Sequence, residues 1–332
     1  MKQLTKDQQS PGLCLCASVV VGLLFTTHPA LAGQKVDQTL DADAQSRIEI
    51  EHLNGSAVVK GWDREEVRVE GELSDRARKF IFERRGKNVQ IKVEMESTSY
   101  KGDWKSWGSG NGDDLTIYVP HGSEVNYTSV NASFDGEDLH GGLDVEVVNG
   151  AVSVNDIEGR IRLESVNGHI TARKLTGDVK IETVNGSIEG RHSGEGDIKF
   201  ESVNGDIRIS SDSREIQAET VNGDLDLELQ VVDELDLSSV NGDIEASMDL
   251  QAGGDVRIST VGGSVELIFQ EGVSAHFDIE GHAGGKFVNR LTDDKMQKAK
   301  YGPRRWLEFS TGGGSAEVEV STVKGRVELR HQ

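Results

Sequence analysis

Carboxylates dominate any search for chemistry in this 332-residue chain, whose formal net charge is −21. Gly-Asp recurs at Gly177-Asp178, Gly196-Asp197, Gly205-Asp206, Gly223-Asp224, Gly242-Asp243 and Gly254-Asp255. Calcium-binding β-rolls also use coils of about 18 residues, built from paired G-G-x-G-x-D nonapeptides. Those nonapeptides are missing, and His169 and Ser187 replace Asp at two equivalent sites. A calcium roll is therefore a secondary reading, although rows of Asp can hold divalent ions weakly. A polysaccharide-acting β-helix enzyme needs two convergent carboxylates in a cleft. Here acids are spread along every repeat, so spacing isolates no catalytic pair. No loop between Gly142 and Gly254 is long enough to wall a deep pocket. His276 and His282, six apart, are the nearest pair among the scattered histidines and read as strand and turn residues. No phosphate-binding Gly-Lys-Ser/Thr loop or Ser-centred nucleophile elbow is present. No catalytic residue, cofactor or metal ligand is assigned, and an enzyme is not expected.

Two patches have the residue types of a contact surface. Tyr100, Trp104 and Trp107 lie on a loop-like, Gly-rich segment, and exposed aromatics bury much area for little entropy. Lys298, Lys300, Arg304, Arg305 and Trp306 form a basic-aromatic cluster on an acidic protein, suited to an anionic glycan, a headgroup or an acidic partner. The plainer alternatives are a hairpin whose Trp fold back on the body, and a solvated helix. An acidic surface argues against nucleic acid as a partner. An envelope glycan or protein fits better.

These residues must be positioned by a repeat. Val-Asn-Gly occurs at 148–150, 166–168, 184–186, 203–205, 221–223 and 240–242, with Val130-Asn131-Ala132 before and Val261-Gly262-Gly263 after. From Asn131 the spacings are 18, 18, 18, 19, 18, 19 and 21 residues, the mark of a repeat architecture. Within one unit, Ile161 and Leu163 alternate with Arg162 and Glu164, and Ile170 and Ala172 alternate with His169 and Thr171. Period two predicts two short strands per unit with one apolar face. Asn-Gly between such strands also signals a hairpin. A meander of hairpins would set Val203 opposite Asp206 and Val221 opposite Asp224, a poor pairing repeated down the sheet. Near-identical units favour coils stacked in register. The expected fold is an all-β, single-chain solenoid (β-helix) of 18–19-residue coils, with Val-Asn-Gly at a corner that turns the Val inward. Asn54, Asn131, Asn149, Asn167, Asn185, Asn204, Asn222 and Asn241 would stack as structural corner residues rather than ligand contacts.

The boundaries follow from composition. Lys2 and Lys6 precede an uncharged run from Leu13 to Thr27 and then Ala30-Leu31-Ala32, the layout of a secretory signal peptide over residues 1–32, cleaved between Ala32 and Gly33. Cys14 and Cys16, the chain's only cysteines, lie inside it and each follows Leu, which disfavours a lipid anchor. No later stretch approaches a membrane span. Residues 33–45 read as a polar linker and 46–332 as the solenoid. Its irregular coils or cap span 46–120, with Ser74 to Phe82 either a short helix or a strand entry. Regular repeats span 121–270, and C-terminal coils 271–332 carry an insertion or helical loop at 289–305.

Gly61-Trp62-Asp63 before an alternating strand, Leu115 to Pro120 ending in Val-Pro, and tandem Ser/Thr-Val-Asn-Gly-x-Ile units carry a resemblance. Over about residues 40–332 the chain resembles a bacterial family of exported β-strand-repeat proteins of unknown function, often labelled adhesins. The resemblance implies a β-solenoid outside the cytoplasm and carries over no catalytic residue. The expectation is an exported, periplasmic or surface-located, non-enzymatic binding or structural module of the cell envelope.

Overall fold

The structure, a computed structural model, describes residues 33–95 and 112–332. The regular elements among them are all β-strands, with no helix. The N-terminal end holds β1 (Gln34–Asp41), β2 (Arg47–Trp62), β3 (Glu66–Leu73), β4 (Ala77–Arg85), β5 (Asn88–Met95) and β6 (Asp113–Pro120). β7 (Glu124–Leu139) opens a regular stack. It continues through β8 (Leu143–Asn149), β9 (Val152–Glu158), β10 (Ile161–Asn167), β11 (Ile170–Thr176), β12 (Val179–Asn185) and β13 (Ile188–His192). β14 (Ile198–Asn204), β15 (Ile207–Ser211), β16 (Glu215–Asn222), β17 (Leu225–Asn241) and β18 (Ile244–Phe269) complete it. The last group is β19 (Ala275–Gly281), β20 (Lys286–Asn289), β21 (Gln297–Lys298), β22 (Arg305–Ser310) and β23 (Ala316–His331).

Each unit supplies one strand to each of two parallel layers. In the first layer β8, β10, β12, β14 and β16 place Val145, Leu163, Ile181, Phe200 and Ala218 in register. In the second, β9, β11, β13 and β15 align Val152, Ile170, Ile188 and Ile207. Like residues therefore stack on like, and the inward rows form one continuous buried core. Each Ile, Leu or Val so buried contributes about 1.5–3 kcal/mol of transfer free energy.

At the turn between layers, Gly168 N–H donates to the Asn185 carbonyl, and Gly186 N–H to that of Asn204, both at 3.1 Å. A Cβ on Gly186 would fall on the carbonyl oxygen of Gly168, one coil away. Close backbone approach, more than torsional freedom, is what demands Gly there.

The valine before each Asn does not turn inward. Val148, Val166, Val184, Val203, Val221 and Val240 are each about 40% exposed. The alternation runs unbroken to the corner: in β10 Ile161, Leu163 and Ser165 are buried, while Val166 and Asn167 face solvent. The inward position beside the bend belongs to the residue before that valine, mostly a small hydroxyl such as Ser165, Thr183, Ser202 and Thr220, with Val147 in one coil.

The ends depart further from the sequence reading. Residues 34–41, expected in a polar linker, form β1, which pairs antiparallel with β3 from Gln34–Leu73 to Asp41–Glu66. Only Val36 of β1 is buried, so an edge strand with one inward residue looks like a linker in sequence. The stretch from Ser74 to Phe82 enters strand β4, antiparallel to β5. β2 pairs with β5 and β6 on one side and with β7 on the other. At the far end β23 lies between β18 and β19, parallel to both, although it follows both in the chain. Residues 289–305 contain no helix; they form a loop with the two-residue β21, antiparallel to β22.

Candidate functional site

Along the Val-Asn-Gly corners the stack repeats one surface pattern. Leu53, Val130, Val148, Val166, Val184, Val203, Val221, Val240, Val261 and Val323 stand outward, one per coil. At about 4.8 Å per coil the row is roughly 40 Å long. Beside its middle run Glu146, Glu164, Glu182, Glu201 and Glu219, which with the valines from Val148 to Val240 line a shallow open groove. Arg162 pairs with Glu164, Lys180 with Glu182 at 2.8 Å and Lys199 with Glu201 at 2.6 Å. Gln217 donates to Glu219 at 2.7 Å. Glu146, beside Asp144, has no basic neighbour within its strand, so the groove stays acidic at that end.

The Asn side chains form a ladder. Asn149 Nδ2 donates to Asn131 Oδ1 at 2.8 Å, Asn167 to Asn149 at 2.8 Å and Asn185 to Asn167 at 2.9 Å. Asn204, Asn222 and Asn241 continue it at 3.0, 2.9 and 3.0 Å. Asn54 is in strand register with Asn131. The Asp of Gly-Asp likewise links coil to coil. Asp206 accepts from the Asp224 N–H, Asp224 from that of Asp243, and Asp243 from that of Ser264. His169 Nδ1 accepts from Ser187 N–H in the same way, so the Asp-to-His change keeps the acceptor.

The basic-aromatic cluster is split by local bonding. Lys298 stands opposite Arg305 across the β21–β22 pair. Arg304 binds Glu280 and lies 5.7 Å from the centre of the Trp306 ring. Arg305 donates to the Gly285 carbonyl. Lys300 sits 5.4 Å from the ring of Tyr301, which is 83% exposed. Both arginines thus have partners within the fold, although Arg304 remains exposed with Lys298, Lys300 and Tyr301, while Arg305 and Trp306 are half-buried. Tyr100, Trp104 and Trp107 lie outside the described residues, as do residues 1–32 with Ala32; the described chain begins at Gly33.

Two histidine groups escaped the sequence reading. His52 takes the corner position that Ser or Thr holds in most coils, with Nε2 3.4 Å from Asp113 Oδ2 and Nδ1 3.2 Å from the Tyr127 hydroxyl. Asp113 also accepts from the Ser74 N–H at 2.6 Å. Both side chains of the His52–Asp113 pair are fully enclosed, and burial pushes the Tyr127 phenol well above its ordinary range. No substrate reaches that group. The second comprises His121, Asp138 and His140 at the outer corners of neighbouring coils. Their signal was present: His121 and His140 are 19 apart, one repeat length, and so stack although distant in sequence.

A family model described as Toastrack DUF4097 matches residues 45–330. The chain belongs to the Toastrack DUF4097 family. No curated protein matches this Toastrack chain. Among solved structures it is similar to a candidate cell adhesion protein from Clostridium sporogenes, at 8% identity and a TM-score of 0.21, covering 90% of this chain and 100% of that one. It is also similar to a candidate adhesin from Parabacteroides distasonis, at 9% identity and a TM-score of 0.27, covering 90% and 97%. Overlap that loose carries no argument about the Toastrack chain's function. Among the described residues, no helix is long and apolar enough to cross a membrane.

Proposed function

We propose that this chain is an exported, non-enzymatic, adhesin-like binding module of the bacterial cell envelope, and that its contact surface is the valine–glutamate groove. One observation carries the reading. The corner places an aliphatic side chain outward in coil after coil, where solubility alone would favour a polar one. A row of that length beside carboxylates fits an extended protein segment that is both aliphatic and basic. The chain's net charge of −21 supports a cationic partner. The groove glutamates within reach of Arg162, Lys180 and Lys199 are ion-paired, which suits a binding face better than a general acid and base. Export rests on residues 1–32, whose layout predicts a mature chain starting at Gly33.

The test uses immobilised mature protein and bacterial envelope fractions, intact or protease-treated, with a Val184→Ser/Val203→Ser variant alongside. Saturable binding that is lost in the variant and after protease supports the reading. Binding that survives protease would move the partner to a glycan. Binding unchanged in the variant would remove the groove from the contact surface. Polysaccharide cleavage abolished by Glu182→Gln/Glu201→Gln would overturn the non-enzymatic reading. Export is checked by the mass of the mature N-terminus, expected to begin at Gly33.

A further inference from the structure

Three corners of the stack converge at the outer end of the second layer. His121 N–H donates to the Trp62 carbonyl at 3.2 Å, and His140 N–H donates to the His121 carbonyl at 2.8 Å. The backbone thus sets residues 62, 121 and 140 in a column. The two imidazole rings are stacked, 5.3 Å between centres and 15° apart in plane. His121 Nδ1 lies 2.9 Å from the Asp138 carbonyl oxygen. Only a protonated Nδ1 can donate there, so the neutral ring keeps its lone pair on Nε2. That Nε2 faces Asp63 Oδ1 at 3.5 Å, and His140 Nε2 faces Asp138 Oδ1 at 3.7 Å.

The surroundings are shaped to this group. Gly61 lies against it so closely that a Cβ would fall on the Asp138 carbonyl oxygen and on His121 Nδ1. The positive φ of Asp138, 65°, recurs at Asp156 and Lys174, so the repeat's own corner sets this backbone. Trp62 stacks on Tyr118, 5.2 Å between centres, and its Nε1 donates to the Glu66 carbonyl at 2.8 Å, fixing the turn that carries Asp63. Gly61-Trp62-Asp63 is thereby explained as one wall of the group.

We propose that His121, His140 and Asp138, with Asp63 at the rim, form a mononuclear site for a divalent transition ion of the zinc–copper class. Two imidazoles and carboxylates without a thiol select these ions over calcium or magnesium, which prefer all-oxygen ligands. One donor atom from each of His121, Asp138 and His140 lies within 4.8 Å of the others. Tetrahedral zinc, with bonds of about 2.0–2.1 Å, needs them about 3.3 Å apart. Rotation of half-exposed side chains closes that difference without moving the backbone. The ion would add a cross-link to three turns already joined by the column of backbone bonds and the stacked rings.

The experiment is calorimetric titration of tag-free mature protein with zinc chloride, repeated with cobalt(II) for its visible absorption. One ion per chain is expected, with a raised melting midpoint, since the ion binds the folded chain alone. Calcium and magnesium at the same concentration should leave both unchanged. His140→Ala should abolish the stoichiometric site and the cobalt band, with circular dichroism unaltered. Asp63→Asn should weaken binding by less than His140→Ala does, since Asp63 faces His121 Nε2 from an exposed rim. His276→Ala should change nothing. No stoichiometric zinc binding, or binding that persists in a folded His140→Ala or His121→Ala protein, overturns the proposal.

Discussion

The side-chain amide of Asn185 donates to Oδ1 of Asn167, 2.9 Å away and one coil earlier. Asn185 also accepts from Asn204 at 3.0 Å, so each mid-ladder amide serves two neighbours. Asn241 only donates, because Gly262 occupies the next register position. Asn185→Ala should therefore cost about 1–3 kcal/mol, at about 0.5–1.5 kcal/mol per bond, and Asn241→Ala about half as much. Urea unfolding of the two variants measures the difference; equal losses would mean that the ladder adds nothing beyond each corner's own geometry.

A second prediction concerns the glycine beside that ladder. Gly186 has the Gly168 carbonyl where a side chain would begin, whereas Gly86, at φ 65°, has open space around it. Gly186→Ala should cost about 3 kcal/mol or more by forcing coils apart. Gly86→Ala should cost only the left-handed strain of about 1–2 kcal/mol. Thermal midpoints of the two variants would rank them, and the reverse order would refute the close-approach argument.

Core packing pairs a large residue with an absent one. A Cβ on Gly190 would stand 3.1 Å from the Phe200 ring, which is fully buried. Gly190→Ala should destabilise by about 1–3 kcal/mol in the native background and by less when Phe200→Leu has made room. A double-mutant cycle reads the coupling directly; additive losses would show that the ring does not meet the added methyl.

His192 gives the fold a pH dependence. Its Nε2 lies 3.0 Å from the Gly177 carbonyl and its Nδ1 3.3 Å from the Ser211 hydroxyl. Burial disfavours the imidazolium and lowers the His192 pKa from its ordinary value, although the Gly177 carbonyl partly offsets this. The unfolded chain, titrating near about 6.5, takes up this proton first as the solution is acidified. The contribution is therefore complete above that pH and is lost as pH falls below it. Stability of wild type and His192→Gln, followed from pH 8 to 5, should converge toward the acid end; parallel curves would show that His192 takes up its proton equally in the folded and unfolded states.

Much of the layered stack could be read in the residues because each unit restates the same alternation. Ile161, Leu163, Ile170 and Ala172 announce their inward face without help from elsewhere. The direction of Val166 was harder, since an aliphatic residue beside a bend looks like core. The deciding fact is the alternation itself: Ser165 already faces inward, so the next residue, Val166, must face out. β1 shows a different limit, because a strand with Val36 as its one buried residue carries almost no pattern. His121, Asp138 and His140 meet only once 18–19 residues of chain are folded into a coil. Neighbour distance in sequence hid them, and repeat spacing would have revealed them. The placement of β2 against β7, with four strands intervening in the chain, shows in sequence only through Asn54-Gly55, which restates the corner and pairs in register with Asn131.

The position of β23 between β18 and β19 bears on how the molecule can assemble. A stack of coils would ordinarily be completed from one end to the other, each new coil adding to a finished edge. Here the place beside β18 belongs to β23, a strand made some forty residues after β19, and β19 pairs only with the far side of β23. Chain emerging in order would leave β18 with an open, sticky edge, or let β19 pair with it prematurely and then be displaced. Folding of this end is therefore a step that waits for the whole segment, and the preceding coils form a template on which it closes.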